Sequence, residues 1–125
     1  MKTRILFVDD DPFVLKGLER MLNGMREQWE MKFARGGQEA LKLFEREPFD
    51  VVISDMCMPE MDGAQLLEQI KEKYPETVRI ILTGHVDNPL TMQAFQFIHS
   101  FISKPCTTET LKSAVEQAFY LKKCQ

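Results

Sequence analysis

The sequence lacks long hydrophobic segments, since no apolar run exceeds four residues and Ile5–Val8 is typical. A transmembrane helix needs about 20 consecutive apolar residues and a signal peptide a core of about 7 to 15, so neither is expected. Cysteine is also scarce, with three residues at positions 57, 106 and 124. Three is too few, and odd in number, for a disulfide scaffold. Reduced thiols and a cytoplasmic protein without membrane association are therefore expected.

The chain has no excess of positive charge, because 16 Lys and Arg residues stand against 19 Asp and Glu residues. A net charge of -3 argues against this domain gripping a nucleic-acid backbone by itself. The hydrophobic fraction of 44% is too high for a disordered chain. A length of 125 residues fits one domain, which we expect to span residues 1–125.

Short apolar runs alternate five times with helical patterns. The predicted strands are Ile5–Val8, a segment within Trp29–Ala34, Val51–Ile53, Val78–Leu82 and Phe101–Ser103. Because each crossover helix must lie on one face of the sheet, this alternation demands parallel strands. The predicted fold class is α/β, a doubly wound five-stranded parallel sheet in a three-layer α/β/α sandwich. Trp29 is expected to be a strand-edge or surface aromatic.

Capping residues mark the predicted helix starts. Asp11, directly before a proline, is assigned to the N-cap of the first helix, and Asp62 to that of the third. Asn88 precedes another proline and predicts a fourth helix that is short and poorly patterned. The last helix begins near Thr107 or Thr108.

Polar residues interrupt the apolar runs where the strands end. Asp9 and Asp10 follow the first strand, Asp55 the third, Thr83 ends the fourth, and Lys104 follows the fifth. In doubly wound sheets the chemistry lies at the carboxyl ends of the strands. The sequence therefore predicts three carboxylates, a hydroxyl and an ammonium at one rim.

Crowded carboxylates repel one another, so keeping all of them ionised requires cations nearby. Lys104 supplies one positive charge, and Mg²⁺ (or Mn²⁺) would supply the rest. A cation, a lysine and a hydroxyl together suit a phosphoryl group, which a carboxylate can accept as an acyl phosphate. Each residue alone also has a structural interpretation, such as an N-cap, a turn or a surface loop. Their conjunction at one rim favours phosphoryl chemistry.

These residues resemble the receiver domain of two-component response regulators over nearly the whole chain. The matching segments are 5–11, 55–63, 82–84 and 101–105, and the D-x-x-M-P-x-M-D-G pattern of the second is the most specific. The resemblance implies the flavodoxin-like strand order 2-1-3-4-5.

The resemblance also implies roles for the metal and acceptor residues. Asp55 would be the phosphoacceptor and a metal ligand. Asp10 would bind Mg²⁺ directly and Asp9 partly through water. The backbone carbonyl of Cys57 would complete the protein ligands.

Further roles follow from the same resemblance. Thr83, Gly84 and Lys104 would surround the phosphoryl group, and Thr83 would swing toward it. Phe101 would then turn inward as the second switch residue. The peptide bond between Lys104 and Pro105 is a candidate cis bond.

The implied partners are a sensor histidine kinase or histidine phosphotransfer protein as phosphodonor. An output domain or partner protein would bind the face of the fourth helix, fifth strand and fifth helix. We also expect that the domain dimerises upon phosphorylation. We further expect that this chain is cut from a longer regulator. The domain would be a signalling module and no enzyme, apart from slow autodephosphorylation.

Two alternatives remain open at this point. A small aspartyl phosphatase of the haloacid-dehalogenase type would use Asp9 as its nucleophile, since Asp9 and Asp11 have the required spacing. A pseudo-receiver would keep the fold as an interaction module without phosphorylation. The identity of the nucleophile separates the first alternative from a receiver, and metal binding separates the second.

Overall fold

Five short parallel strands form the centre of the computed structural model, which describes residues 2–84 and 89–123. They are β1 (Thr3–Val8), β2 (Trp29–Ala34), β3 (Val51–Ser54), β4 (Val78–Thr83) and β5 (Ser100–Ser103). The strand order β2-β1-β3-β4-β5 confirms the predicted doubly wound topology. β1, β3 and β4 occupy the central positions, where their apolar residues are buried on both faces.

Five α-helices cover the two faces of the sheet. They are α1 (Pro12–Met21), α2 (Gly37–Arg46), α3 (Gly63–Lys73), α4 (Pro89–Ala94) and α5 (Thr108–Lys123). Single 3₁₀ turns follow α1 at Asn23–Met25 and α4 at Phe95–Phe97. None of the helices within the described ranges has the length and apolarity to cross a membrane.

The predicted N-caps of α1 and α3 are confirmed. Asp11 accepts a hydrogen bond from the backbone N–H of Phe13, and Asp62 accepts one from the N–H of Gln65. Gln65 in turn accepts a bond from the Asp62 N–H, which completes a capping box. The predicted cap at Asn88 lies outside the described residues.

The core consists of two apolar layers, one on each face of the sheet. On one face α1 and α5 cover alternate strand residues, among them Phe7, Ile53 and Ile80. On the other face α2, α3 and α4 cover the intervening residues, such as Leu6, Val52 and Ile81. The period of two along each strand thus produces the predicted three-layer sandwich.

Trp29 begins an edge strand, as expected, but the expectation that it is a surface aromatic is wrong. Its side chain is 6% exposed and belongs to the same apolar layer as Leu22 and Met25. The 3₁₀ turn at Asn23–Met25, which the sequence pattern did not predict, connects α1 with β2. Met25, within this turn, is itself buried, so the turn contributes to the layer that covers the indole.

Gly17 provides a test of which side of α1 faces away from the core. An added Cβ would meet nothing within 4 Å, and glycine inside a helix costs stability relative to alanine. We expect Gly17→Ala to raise the free energy of unfolding by about 0.5–1 kcal/mol, measured by urea denaturation. A lower stability would contradict the placement of Gly17 on an open helix face.

Candidate metal centre at the acidic rim

The carboxyl ends of β1 and β3 bring the first two predicted acidic residues side by side. The backbone N–H of Asp9 donates to the carbonyl of Ala34 at 3.1 Å, and that of Asp55 donates to the carbonyl of Val8 at 2.9 Å. Both residues therefore continue the strand ladder by one position. One oxygen from each of Asp9, Asp10 and Asp55 lies within 4.8 Å of the others.

Lys104 crosses from the end of β5 to these carboxylates. Its Nζ lies 3.1 Å from Asp9 Oδ2 and 3.4 Å from Asp55 Oδ1. Its backbone N–H donates to the carbonyl of Thr83 at 2.9 Å, which ties the lysine to the end of β4. Burial lowers the pKa of Lys104, but the charges of Asp55 and Asp9 outweigh burial and raise it, so the ammonium stays protonated.

The Asp55 carboxylate is held from two sides. Its Oδ1 accepts a hydrogen bond from the backbone N–H of Met56 at 2.9 Å and also faces Lys104. Burial raises the pKa of Asp55, and the charge of Asp9 adds to the increase. Lys104 and the Met56 N–H lower this pKa, but the net shift is upward. Ionisation of Asp55 is therefore disfavoured by burial first and by the neighbouring Asp9 charge second, and Lys104 does not fully compensate for the two.

The donor set fits a hard divalent cation. Three carboxylates offer oxygen ligands at one point of the surface, as Mg²⁺ and Mn²⁺ prefer. Burial and neighbouring carboxylates, Asp55 first among them, raise the pKa of the Cys57 thiol. The thiol thus stays protonated and is a poor metal ligand.

Asp11 stands apart from this cluster. Its side chain caps α1, while its backbone N–H donates to Asp9 Oδ1 at 2.9 Å. Asp9 is 4% exposed, and both of its oxygens are occupied, Oδ1 by Asp11 and Oδ2 by Lys104. The first aspartate after β1 is therefore a fixed, buried charge.

Close backbone packing fixes the chain on both sides of Asp55. A Cβ added at Gly63 would lie 2.5 Å from the backbone oxygen of Asp55. The buried hydroxyl of Ser54 donates to the same oxygen at 2.8 Å. Between these residues Glu60 has φ 69°, while the N–H of Met61 bonds to the carbonyl of Pro59, two residues earlier. The loop from Asp55 to Gly63 is therefore tightly specified.

The remaining predicted residues lie at or beyond the rim. Thr83 is fully buried at the end of β4, and Gly84 after it is exposed. The bond between Lys104 and Pro105 is cis. Phe101 is 40% exposed and therefore faces outward. Its ring packs against that of Phe95, with 5.5 Å between the ring centroids.

The sequence analysis gave no role to the Met56 N–H or the Ser54 hydroxyl. Every residue except proline carries a backbone N–H, so no sequence signal distinguishes the one that contacts the carboxylate. Serine in a short apolar strand was a weak signal for the second contact. Fold and site together define a class: a doubly wound α/β domain with an acidic, lysine-containing rim at the carboxyl ends of its strands.

Comparisons with known proteins agree with this class. The model of the response regulator receiver domain matches residues 5–116. A receiver domain of an HD domain-containing protein from Pseudomonas fluorescens superposes with a TM-score of 0.90 at 34% identity, covering 100% of both chains. The transcriptional regulatory protein GlrR of Escherichia coli is 40% identical over 91% of this chain and 26% of its own length. A probable cyclic di-GMP phosphodiesterase of Vibrio cholerae is 33% identical over 89% of this chain and 24% of its own length.

The chain belongs to the response regulator receiver domain family, which confirms the resemblance seen in its sequence. It is a signalling domain of two-component systems. It spans about a quarter of the length of these two curated relatives.

Gly63 offers a direct test of the loop that carries Asp55. Because an added methyl would collide with backbone atoms of Asp55 and Met56, we expect Gly63→Ala to lower the free energy of unfolding by about 1–3 kcal/mol. Gly24→Ala is the matched control, since its Cβ would meet nothing within 4 Å. Equal urea midpoints for the two variants would contradict the close approach.

The raised pKa of Asp55 predicts how stability depends on pH without metal. A carboxyl whose pKa is higher in the folded than in the unfolded chain opposes folding increasingly as pH rises between the two values. In EDTA, Asp55→Asn should therefore be more stable than the original chain at pH 7. This advantage should shrink as pH falls toward the unfolded value of 3.8. If the stability of Asp55→Asn relative to the original chain instead increased toward low pH, the raised pKa of Asp55 would be refuted.

Proposed function

We propose that this chain accepts a phosphoryl group on Asp55 from a phosphohistidine of a sensor histidine kinase or a histidine phosphotransfer protein. The observation that carries this proposal is the cluster of three carboxylates, two of which, Asp9 and Asp55, form ion pairs with the Lys104 ammonium. The reaction depends on Mg²⁺, which Mn²⁺ can replace. Asp10, Asp55 and the carbonyl of Cys57 would hold the ion directly and Asp9 partly through water, and the ion would neutralise phosphoryl oxygens.

The chain's own groups supply the rest of the transfer. A carboxylate oxygen of Asp55 attacks phosphorus, a P–O bond forms, and the P–N bond to the donor histidine breaks. The bonding electrons leave with the imidazole nitrogen. Lys104 moves its ion pairing from the carboxylates to the phosphoryl oxygens, and the Met56 N–H orients the attacking carboxylate.

Phosphorylation then changes the charge beside Thr83. Its hydroxyl moves to the phosphoryl group past Gly84, and Phe101 leaves its outward position for the space behind it. The altered surface of α4, β5 and α5 binds an output domain, a partner protein or a second copy of the domain. In the described structure this surface exposes Phe95 and Phe101.

The phosphatase alternative has less support. Its nucleophile would be Asp9, yet both oxygens of Asp9 are engaged and the side chain is nearly inaccessible. Asp55 is more exposed than Asp9. The pseudo-receiver alternative leaves the complete acidic cluster and Lys104 without a role. The domain therefore acts as a phosphoacceptor and no enzyme, apart from slow loss of its own phosphoryl group.

We further propose that residues 1–125 form one domain of a longer cytoplasmic regulator. The relatives that share this segment are about four times as long and carry names as different as transcriptional regulator and phosphodiesterase. The receiver segment alone therefore does not specify the output.

Labelling with acetyl phosphate and Mg²⁺ tests the phosphoacceptor assignment. We expect the chain to gain one phosphoryl group by mass, Asp55→Asn to gain none, and EDTA to prevent labelling. Asp11→Asn is the control, because Asp11 caps α1 and should label normally.

Each alternative gives its own result in this experiment. Full labelling of Asp55→Asn, with loss in Asp9→Asn, would establish the phosphatase-type nucleophile. A chain that neither labels nor binds Mg²⁺ and beryllofluoride would be a pseudo-receiver.

A further inference from the structure

Arg79 is a buried arginine in a central strand. It occupies the second position of β4 and is 7% exposed, between apolar neighbours Val78 and Ile80. Burial lowers the pKa of its guanidinium. An apolar side chain would fill this position without the desolvation of a charge, so packing alone does not explain an arginine.

The guanidinium donates hydrogen bonds to three backbone carbonyls. Its Nη1 donates to Thr77 at 3.0 Å and to Pro75 at 3.3 Å, both in the connection between α3 and β4. Its Nε donates to the carbonyl of Phe97 at 2.6 Å. The side chain therefore joins two connections that are about 20 residues apart in sequence.

The Phe97 carbonyl has a particular place in the fold. It ends the segment Pro89–Phe97, which consists of α4 and its 3₁₀ turn and is called the α4 segment below. Carbonyls at the end of a helix lack helical partners and form the negative end of its dipole. A buried cation is the strongest hydrogen-bond donor available for such a carbonyl.

Two neighbours reinforce the contact. Lys71 of α3 donates to the carbonyl of Gln96 at 3.4 Å, but this pair is exposed and therefore weaker. The N–H of Arg79 donates to His99 Nδ1 at 2.9 Å, and the N–H of His99 donates to the Arg79 carbonyl at 2.7 Å. The side chain of Arg79 thus binds the last residue of the α4 segment, and its main chain binds His99, two residues further on.

The same strand carries the switch residue at its other end. Thr83 lies four residues after Arg79, a distance of about 13 Å along β4. The amino end of the α4 segment follows Thr83 in the chain, whereas its carboxyl end is bound to Arg79.

We propose that Arg79 is the fixed point of the switch: it fastens the carboxyl end of the α4 segment to β4. Phosphorylation consequently moves the amino end of this segment about that point. The part of the inference that concerns phosphorylation rests on the proposed function, whereas the fastening is a property of the unmodified chain. Arg79 is thus a positioning residue for the output face.

Hydrogen exchange, measured with and without Mg²⁺ and beryllofluoride, tests this inference. In the original chain, beryllofluoride should change exchange in residues 89–94 and leave residues 95–99 unchanged. In Arg79→Gln, exchange of residues 95–99 should rise about tenfold before any addition, because a charged hydrogen bond is lost. Beryllofluoride should then alter both parts of the segment.

Controls separate fastening from general loss of structure. Lys71→Gln removes the exposed contact and should raise exchange in residues 95–99 by no more than about twofold. Exchange of β1 reports global unfolding, and in Arg79→Gln it should rise less than that of residues 95–99. Equal increases in β1 and residues 95–99 would assign Arg79 a general stabilising role and overturn the proposal.

Two further results would overturn it without depending on a variant that folds. One is a change in residues 95–99 of the original chain as large as that in residues 89–94. The other is a change confined to residues 95–99. If beryllofluoride does not bind at all, the result counts against the proposed function. Hydrogen exchange of Arg79→Gln without any addition would still test whether Arg79 holds the carboxyl end of the α4 segment on β4.

Discussion

The repulsion between carboxylates at the ends of β1 and β3 is the constraint on which the rest of this structure depends. Parallel strands in register project Asp9 and Asp55 from adjacent positions, so their separation is fixed by the ladder and cannot relax. Lys104 offsets part of the charge, while burial, with a smaller contribution from the charge of Asp9, raises the pKa of Asp55. Such a site gains stability from any cation that its oxygens can bind, which links ion binding to phosphoryl chemistry.

The scaffold holds the acidic residues in place and leaves Phe101 exposed. Asp9 and the backbone of Asp55 are held by strand hydrogen bonds, and Gly63 and Ser54 hold the following loop. Phe101, by contrast, lies on an edge strand with an exposed ring. A charge added at Asp55 would therefore be held at a fixed position, and the proposed response of Phe101 would occur at an exposed side chain.

Sequence patterns were sufficient for most of the fold because they follow directly from geometry. Continuous apolar runs identified the central strands, and Asp11 and Asp62 marked helix starts through their capping side chains. The polar residues at strand ends predicted the acidic rim, since parallel strands must end at one edge of a sheet. For Trp29 the strand-edge alternative held and the surface alternative was wrong, because the layer that buries it includes Met25 of a 3₁₀ turn, which carries no hydrophobic period. Arg79 interrupted the pattern of β4, but its backbone partners are distant in sequence and no local pattern records them.

The family match identifies a receiver domain, and the relatives that share this segment carry different names. The central claim is more elementary: the acidic rim is a binding site for one divalent cation. Calorimetric titration of the chain with Mg²⁺ tests it most directly. The account predicts saturable binding of one ion per chain, which Asp10→Asn weakens strongly. Absence of saturable binding, or binding that the substitution leaves unchanged, would contradict it.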